Sequence, residues 1–247
     1  MAVVKRETRV EQKVAGAPTS RNQPRLPVAS LVLGGLALVG VLISIWMIFF
    51  YAPMDALQQN TQRIFYLHVP SAWLGMLAFV IMAVAGVVYL FKADERWDLA
   101  ARAASELGTV FLTIALITGS LWGKPIWGTW WSWDPMLTAV LVLWFMFVAY
   151  LMLHSYMGRS HESARAAAVL AIVGVIDVPI IYEAANWWRT LHPGKMISPT
   201  GGLPPAAILT LMVSLTSFTL LFSFLMIQVY QLQKLQTLAQ RLRALVE

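Results

Sequence analysis

Six runs of mostly apolar residues, near 28–51, 66–91, 107–123, 136–157, 165–184 and 206–230, limit what this chain can become. Each approaches the roughly 20 residues that an α-helix needs to cross a bilayer core. In hydrocarbon, a helix satisfies its backbone hydrogen bonds within the segment itself. The expected fold is therefore all-α, a polytopic bundle of six transmembrane helices. Only 12% of the 247 residues are charged, against roughly 25% in a soluble domain, so lipid is expected around most of the surface. The third run is short and glycine-punctuated. The fifth contains Asp177 and Pro179, and the proline predicts a break in its hydrogen-bond ladder.

Polar segments flank the membrane domain of residues 28–230. Residues 1–27 read as a basic cytoplasmic tail. Residues 231–247 read as a basic cytoplasmic helix, with Leu232, Leu235, Leu238 and Leu242 at helical spacing, continuing the sixth span. The first apolar run is too long for a signal-peptide core and reads as a retained helix. With this order of spans, fourteen of the 18 lysines and arginines fall on the side of the two termini. The positive-inside rule then places both termini in the cytoplasm and the loops 52–65, 124–135 and 185–205 outside. The net charge of +6 is accounted for by this orientation, without nucleic acid.

The chain has no cysteine, which excludes disulfides, thiolate metal sites and covalent haem attachment through CxxCH. Of its four histidines, His68 (in RIFYLHVPSAW) and His192 (in NWWRTLHPG) fall on the outer side, and His154 and His161 on the inner side. An interfacial histidine is often just a hydrogen-bonded polar residue. Here, however, two share one face, each among aromatics and each near an arginine, Arg63 or Arg189. Two imidazoles can hold haem iron as axial ligands, whereas zinc needs three or four ligands.

Five of the 11 tryptophans lie within residues 122–133. If residues 127–134 form a short amphipathic helical piece, Trp127, Trp130, Trp131 and Asp134 share one side, a flat platform for a porphyrin that Trp187 and Trp188 could close. Interfacial anchoring is the competing explanation, and it suffices for Trp46, Trp73, Trp97 and Trp144. Asp134 either hydrogen-bonds an indole or arginine, or caps the fourth span ahead of Pro135. Asp177, inside a span, is either a packing partner near a kink or a functional carboxylate.

GSLWGKPIWGTWWSWDPMLT (119–138), RIFYLHVPSAW and DVPIIYEAANWWRTLH together resemble the tryptophan-rich (WWD) haem-handling family of bacterial cytochrome c maturation System I, in its haem exporter protein C (CcmC) branch. The likeness covers roughly residues 28–230. It implies an inner-membrane protein with a periplasmic active face and with His68 and His192 as axial ligands of transiently held haem b. Carried over residue by residue, it makes Trp122, Trp127, Trp130, Trp131, Trp133 and Asp134 the platform. It further implies loading of haem onto a periplasmic chaperone (CcmE), beside an ABC transporter pair (CcmA and CcmB) and a small membrane protein (CcmD), with no ATPase activity of the chain's own. One departure stands out: Met136 occupies a position where the family carries arginine. Propionate or partner contacts then fall to Arg63, Lys124, Arg189 and Lys195. Two other functions remain open at this stage, a haem exporter across the membrane and a b-type haem electron-transfer subunit.

Overall fold

Hydropathy places the helices, but capping and side-chain size decide where each one stops and what it touches. A computed structural model describes residues 28–188, 190–192 and 202–244, and the described residues form seven α-helices. They are α1 (Val28–Trp46), α2 (Phe65–Lys92), α3 (Glu95–Trp127), α4 (Pro135–Met157), α5 (His161–Gly174), α6 (Asp177–Trp187) and α7 (Pro205–Ala244). A π turn (Met47–Tyr51) extends α1, and a 3-10 turn (Asn60–Ile64) leads into α2. With α5 and α6 forming one broken span, six helical segments are long and apolar enough to cross a membrane, and the chain is a multi-pass membrane protein.

Side-chain caps mark the starts of α3, α4 and α5. Asp94 accepts from the Arg96 amide at 3.0 Å, Asp134 from the Leu137 amide at 2.9 Å and Ser160 from the Ser163 amide at 3.0 Å, each pairing a donor that the first turn leaves open. Gly128 closes α3 with a φ of 76°, a left-handed conformation that glycine adopts without a Cβ clash. Asp134 is thus a helix cap, one of the two roles its sequence context allowed.

Two boundaries depart from the sequence reading. α3 begins at Glu95, well before the expected 107, because polar side chains in its first turns pair with one another instead of facing lipid. Arg102, expected in a loop, is buried with its Nε 2.9 Å from Asp98 Oδ2. The segment after α3 is not helical: residues 128–130 are bends and 131–134 irregular. Trp127 therefore belongs to α3, while Trp130, Trp131 and Asp134 lie beyond it, and the one-sided helical platform does not form. The break in the fifth span comes where Pro179 predicts it. Pro179 has no N–H for the Val175 carbonyl, and the Val178 amide takes that carbonyl at 3.1 Å instead.

α2 and α3 form the antiparallel spine of the bundle. Their facing residues are small: Gly75 sits against Leu112, and Gly108 against Phe147 and Ala78. α5 packs on the other half of α2, while α4 and α7 cover α3. The central core combines Leu74, Phe79, Met82, Leu112, Leu143 and Phe147, and the rings of Phe79 and Phe147 meet edge to face at 4.8 Å. α1 packs chiefly along α7 and turns most of its apolar surface outward, as a lipid-facing helix would. Two polar clasps join them, Ser44 Oγ to Ser214 Oγ at 2.9 Å and Gln228 Nε2 to Ser30 Oγ at 2.6 Å.

The tightness at Gly108 can be tested. Even one methyl there would overlap the Phe147 ring and crowd Ala78, so Gly108→Ala should cost about 1–3 kcal/mol despite alanine's better helix propensity. Gly35, with nothing within 4 Å of its missing Cβ, should accept alanine without loss. Thermal midpoints of the two variants in detergent should separate accordingly.

Candidate functional site

At the end of the bundle where α2, α4 and α7 begin and α3 and α6 finish, a cavity of about 390 Å³ opens among the helices. This is the size of a small-molecule or cofactor site. Its walls are overwhelmingly apolar, with Phe65, Trp73, Met76, Leu112, Met136 and Ile181 among them. His68 and His192 both line it, whereas His154 and His161 lie at the other end of the bundle. From His68 to Met76 the wall descends two turns along α2, about 12 Å at 1.5 Å per residue, so the cavity is a cleft reaching into the bundle.

Helix α3 fixes the His68 ring. Nδ1 lies 3.0 Å from the Ala115 carbonyl oxygen and 3.2 Å from Thr118 Oγ1. A carbonyl only accepts, so Nδ1 carries the proton and donates. The Thr118 hydroxyl gives its own proton to the Ile114 carbonyl at 2.6 Å and can accept from the ring. Nε2 is thereby left with the lone pair, as a metal-ligating imidazole requires. The ring passes so close over Gly119 that a Cβ there would stand 3.0 Å from its Cε1. Trp122 packs its edge against the same imidazole with centroids 5.8 Å apart.

Trp122 is itself held from outside α3. Its Nε1 donates to Gln58 Oε1 at 2.9 Å, and Gln58 is set by a turn in which Asp55 Oδ1 accepts from the Leu57 and Gln58 amides. The segment before α2 therefore buttresses the histidine wall.

His192 reaches the cavity from the segment after α6. The indole of Trp127 meets its ring edge on, with centroids 5.1 Å apart. Asp134 links this segment to α4 by accepting from the Leu191 amide through Oδ2 at 3.2 Å. His192 Nδ1 is buried without a hydrogen-bond partner among the described residues. Burial lowers the pKa of this imidazole below its ordinary value, and the nearby Asp134 carboxylate partly opposes the shift.

The remaining expected site residues separate in space. Of the tryptophans, Trp122 lines the cavity and Trp127 backs His192. Trp131 is half-buried, with an unpaired indole nitrogen among the described residues and its ring against Trp133 at 5.7 Å. Trp130, Trp133, Trp187 and Trp188 are exposed and do not line the cavity. Arg63 stacks over Phe49 at 5.3 Å. Lys124 donates to the Gly128 carbonyl at 3.0 Å and lies 5.9 Å from the centre of the Trp130 ring. Neither cation lines the cavity. Arg189 and Lys195 fall outside the described residues. Asp177 stands at the α5–α6 break with Oδ2 buried and without a hydrogen bond among the described residues.

Several lining residues were not foreseen. Trp73, which read as an ordinary anchor, faces the cavity beside Tyr182 and Asn186. Helical spacing gave no signal, because a residue five positions beyond His68 projects from a different side of α2. Met136 sits directly in the wall, where its thioether extends the apolar lining. Among the described residues no three His, Cys, Asp or Glu side chains gather to hold a bare metal ion.

A multi-pass helical membrane protein with an apolar cleft walled by two imidazoles is the class this fold and site define. Residues 18–245 match the family described as Heme exporter protein C (CcmC). The chain is 39% identical over 208 residues to Heme exporter protein C of Bradyrhizobium diazoefficiens, covering 83% of this chain and 76% of that protein. It is 38% identical over 210 residues to the Haemophilus influenzae protein of the same name, covering 83% and 84%. With the Escherichia coli K12 protein it shares 45% over 147 residues, 60% of each chain. The chain belongs to the Heme exporter protein C family.

The buried state of His192 has a measurable effect. Because the folded protein holds this ring below its unfolded pKa of about 6.5, the unfolded chain takes up the proton first as pH falls. Its contribution to stability is complete above that value and declines as pH drops towards the folded pKa. The thermal midpoint in detergent should fall between about pH 7 and about pH 5, and less steeply in His192→Gln. Identical slopes for the two proteins would contradict this.

Proposed function

We propose that the protein holds haem in this cleft between His68 and His192 and delivers it to a haem chaperone. Family membership gives it a role in haem handling for cytochrome c maturation. The observation that carries the finer reading is the pair of imidazoles on one apolar cavity, with the His68 tautomer set so that Nε2 is the ligating atom. Haem is cargo here, a flat apolar ring with two carboxylates on one edge, and the donor set suits it: His68 and His192 supply axial nitrogens. Phe65, Trp73, Trp122 and Met136 supply apolar contact.

The surroundings favour presentation over passage. Directly beneath Met76 the bundle closes on the packed core around Phe79 and Phe147, so the cleft is open at one end. On the orientation read from the charge distribution, that end faces the periplasm across the bacterial inner membrane. Haem b would be passed there to CcmE, with CcmA, CcmB and CcmD as the associated complex. Arg63, Lys124, Arg189 and Lys195 are the candidate cations from which propionate or partner contacts would come. The exposed Trp130, Trp133, Trp187 and Trp188 then offer aromatic surface for ring, lipid or chaperone.

The test is spectroscopic. Protein purified with haem should show a low-spin spectrum with two nitrogen ligands. His68→Ala and His192→Ala should each lower haem content or convert the spectrum, and the double variant should abolish the low-spin form. Thr118→Val removes one of the groups that orient the His68 ring and should weaken haem binding roughly 10-fold or more, the usual cost of losing an outer-shell partner. Retention of wild-type haem content and spectrum by the double-alanine variant would refute the ligand assignment.

A further inference from the structure

At the opposite end of the bundle lies a second cavity, of about 250 Å³, that shares no lining residue with the first. Its walls include Tyr89 from α2, Asp98 and Arg102 from α3, Arg159 from the α4–α5 connection, His161 from α5 and Arg241 from α7. In contrast to the haem cleft, it is lined chiefly by polar groups. Three arginines and two carboxylates, Glu95 and Asp98, face it, so these charges sum to a positive excess.

The pairings show where that excess resides. Arg241 is occupied, donating to both Glu95 carboxylate oxygens at 2.8 and 2.7 Å. Arg102 approaches Asp98 Oδ2 through Nε at 2.9 Å, an ion pair without hydrogen-bond direction. The Arg102 side chain is only 8% exposed, and its two terminal nitrogens have no protein partner among the described residues. Asp98 is shared with His154, whose Nε2 lies 3.6 Å away. Arg159 has neutral acceptors only: the Gln233 carbonyl at 3.2 Å, Gln236 Oε1 at 3.1 Å and the Thr237 hydroxyl. Glu106, the next nearest carboxylate, is engaged by Gln233 and does not line the cavity. Burial and the neighbouring Arg102 both pull the Arg159 pKa below its ordinary value, as expected for two guanidiniums facing one space.

We propose that this cavity is a phosphate site, taking a phosphate ester between Arg102 and Arg159. Guanidinium forks pair with phosphate oxygens in bidentate fashion. The start of α5, where Ser160 and His161 line the cavity, adds the positive end of a 14-residue helix. The site lies where α2 ends and α3 and α5 begin, at the limit of three spans, which is the depth of lipid headgroup phosphates. The same chemistry would accept a soluble phosphate ester.

The full-length protein in detergent distinguishes these sources. Native mass spectrometry with dioleoylphosphatidylglycerol and with dioleoylphosphatidylcholine reads lipid preference, and thermal shift with inorganic phosphate against chloride at matched ionic strength reads the free anion. Wild type should retain one phosphatidylglycerol in preference to phosphatidylcholine, or be stabilised by phosphate. Arg159→Gln and the charge-conserving Arg102→Lys, each checked for helical content and monodispersity, should weaken that binding roughly tenfold or more. Arg96→Gln, which alters an exposed arginine outside the cavity, should leave it unchanged. Lipid preference without a phosphate response assigns the site to a headgroup, and the converse assigns it to a soluble ester. Equal retention of both lipids with no phosphate response, or undiminished binding in a folded variant, would overturn the proposal.

Discussion

The close approach of α2 and α3 is the constraint on which the rest of the structure depends. Gly75 and Gly108 remove side-chain bulk between the two helices, and Leu112, Phe147 and Ala78 fill the space without separating them. With the backbones this near, a side chain of α2 can reach the main chain of α3. His68 does so, donating to the Ala115 carbonyl. Had the helices stood further apart, the same imidazole would hang in the cleft with neither tautomer nor direction defined. Small residues deep in the bundle thus govern the chemistry of a nitrogen atom near its rim.

That spine also separates two environments. One end encloses an apolar cleft whose few polar atoms are imidazole nitrogens, an amide and a phenol. The other gathers arginines, carboxylates and hydroxyls into a network of side chains from α2, α3, α4, α5 and α7. The packed layer around Phe79 and Phe147 lies between them. Apolar lining dominates on one side of that layer and ion pairs on the other.

Much of this was legible in the sequence because the bilayer imposes strong rules. The number of spans followed from apolar run lengths, and the sorting of His68 and His192 away from His154 and His161 followed from counting crossings. Asp134 and Pro135 announced a helix start, and Pro179 a break. What escaped reading depends on three-dimensional partners. The first turns of α3 look too polar to be helical within the bundle until Arg102 meets Asp98. The tryptophan segment was expected to be helical because its spacing permitted it, but Gly128 ends α3 and the Asp134 cap begins α4, and residues 129–133 between them run as bends and irregular chain. Trp73 looked ordinary because its position in a span says nothing about which neighbour is missing beside it.

Asp134 joins two elements through separate atoms. Oδ1 caps α4 while Oδ2 holds the Leu191 amide, so one carboxylate works as a hinge pin between a helix and the strap that carries His192. Among the described residues, lifting the strap at that point breaks one exposed hydrogen bond to the carboxylate, worth at most about 1.5–3 kcal/mol, and the Trp127–His192 ring contact, and leaves the helix start wound. The two walls of the cleft therefore differ in compliance: His68 rides on a rigid spine, and His192 on a latch.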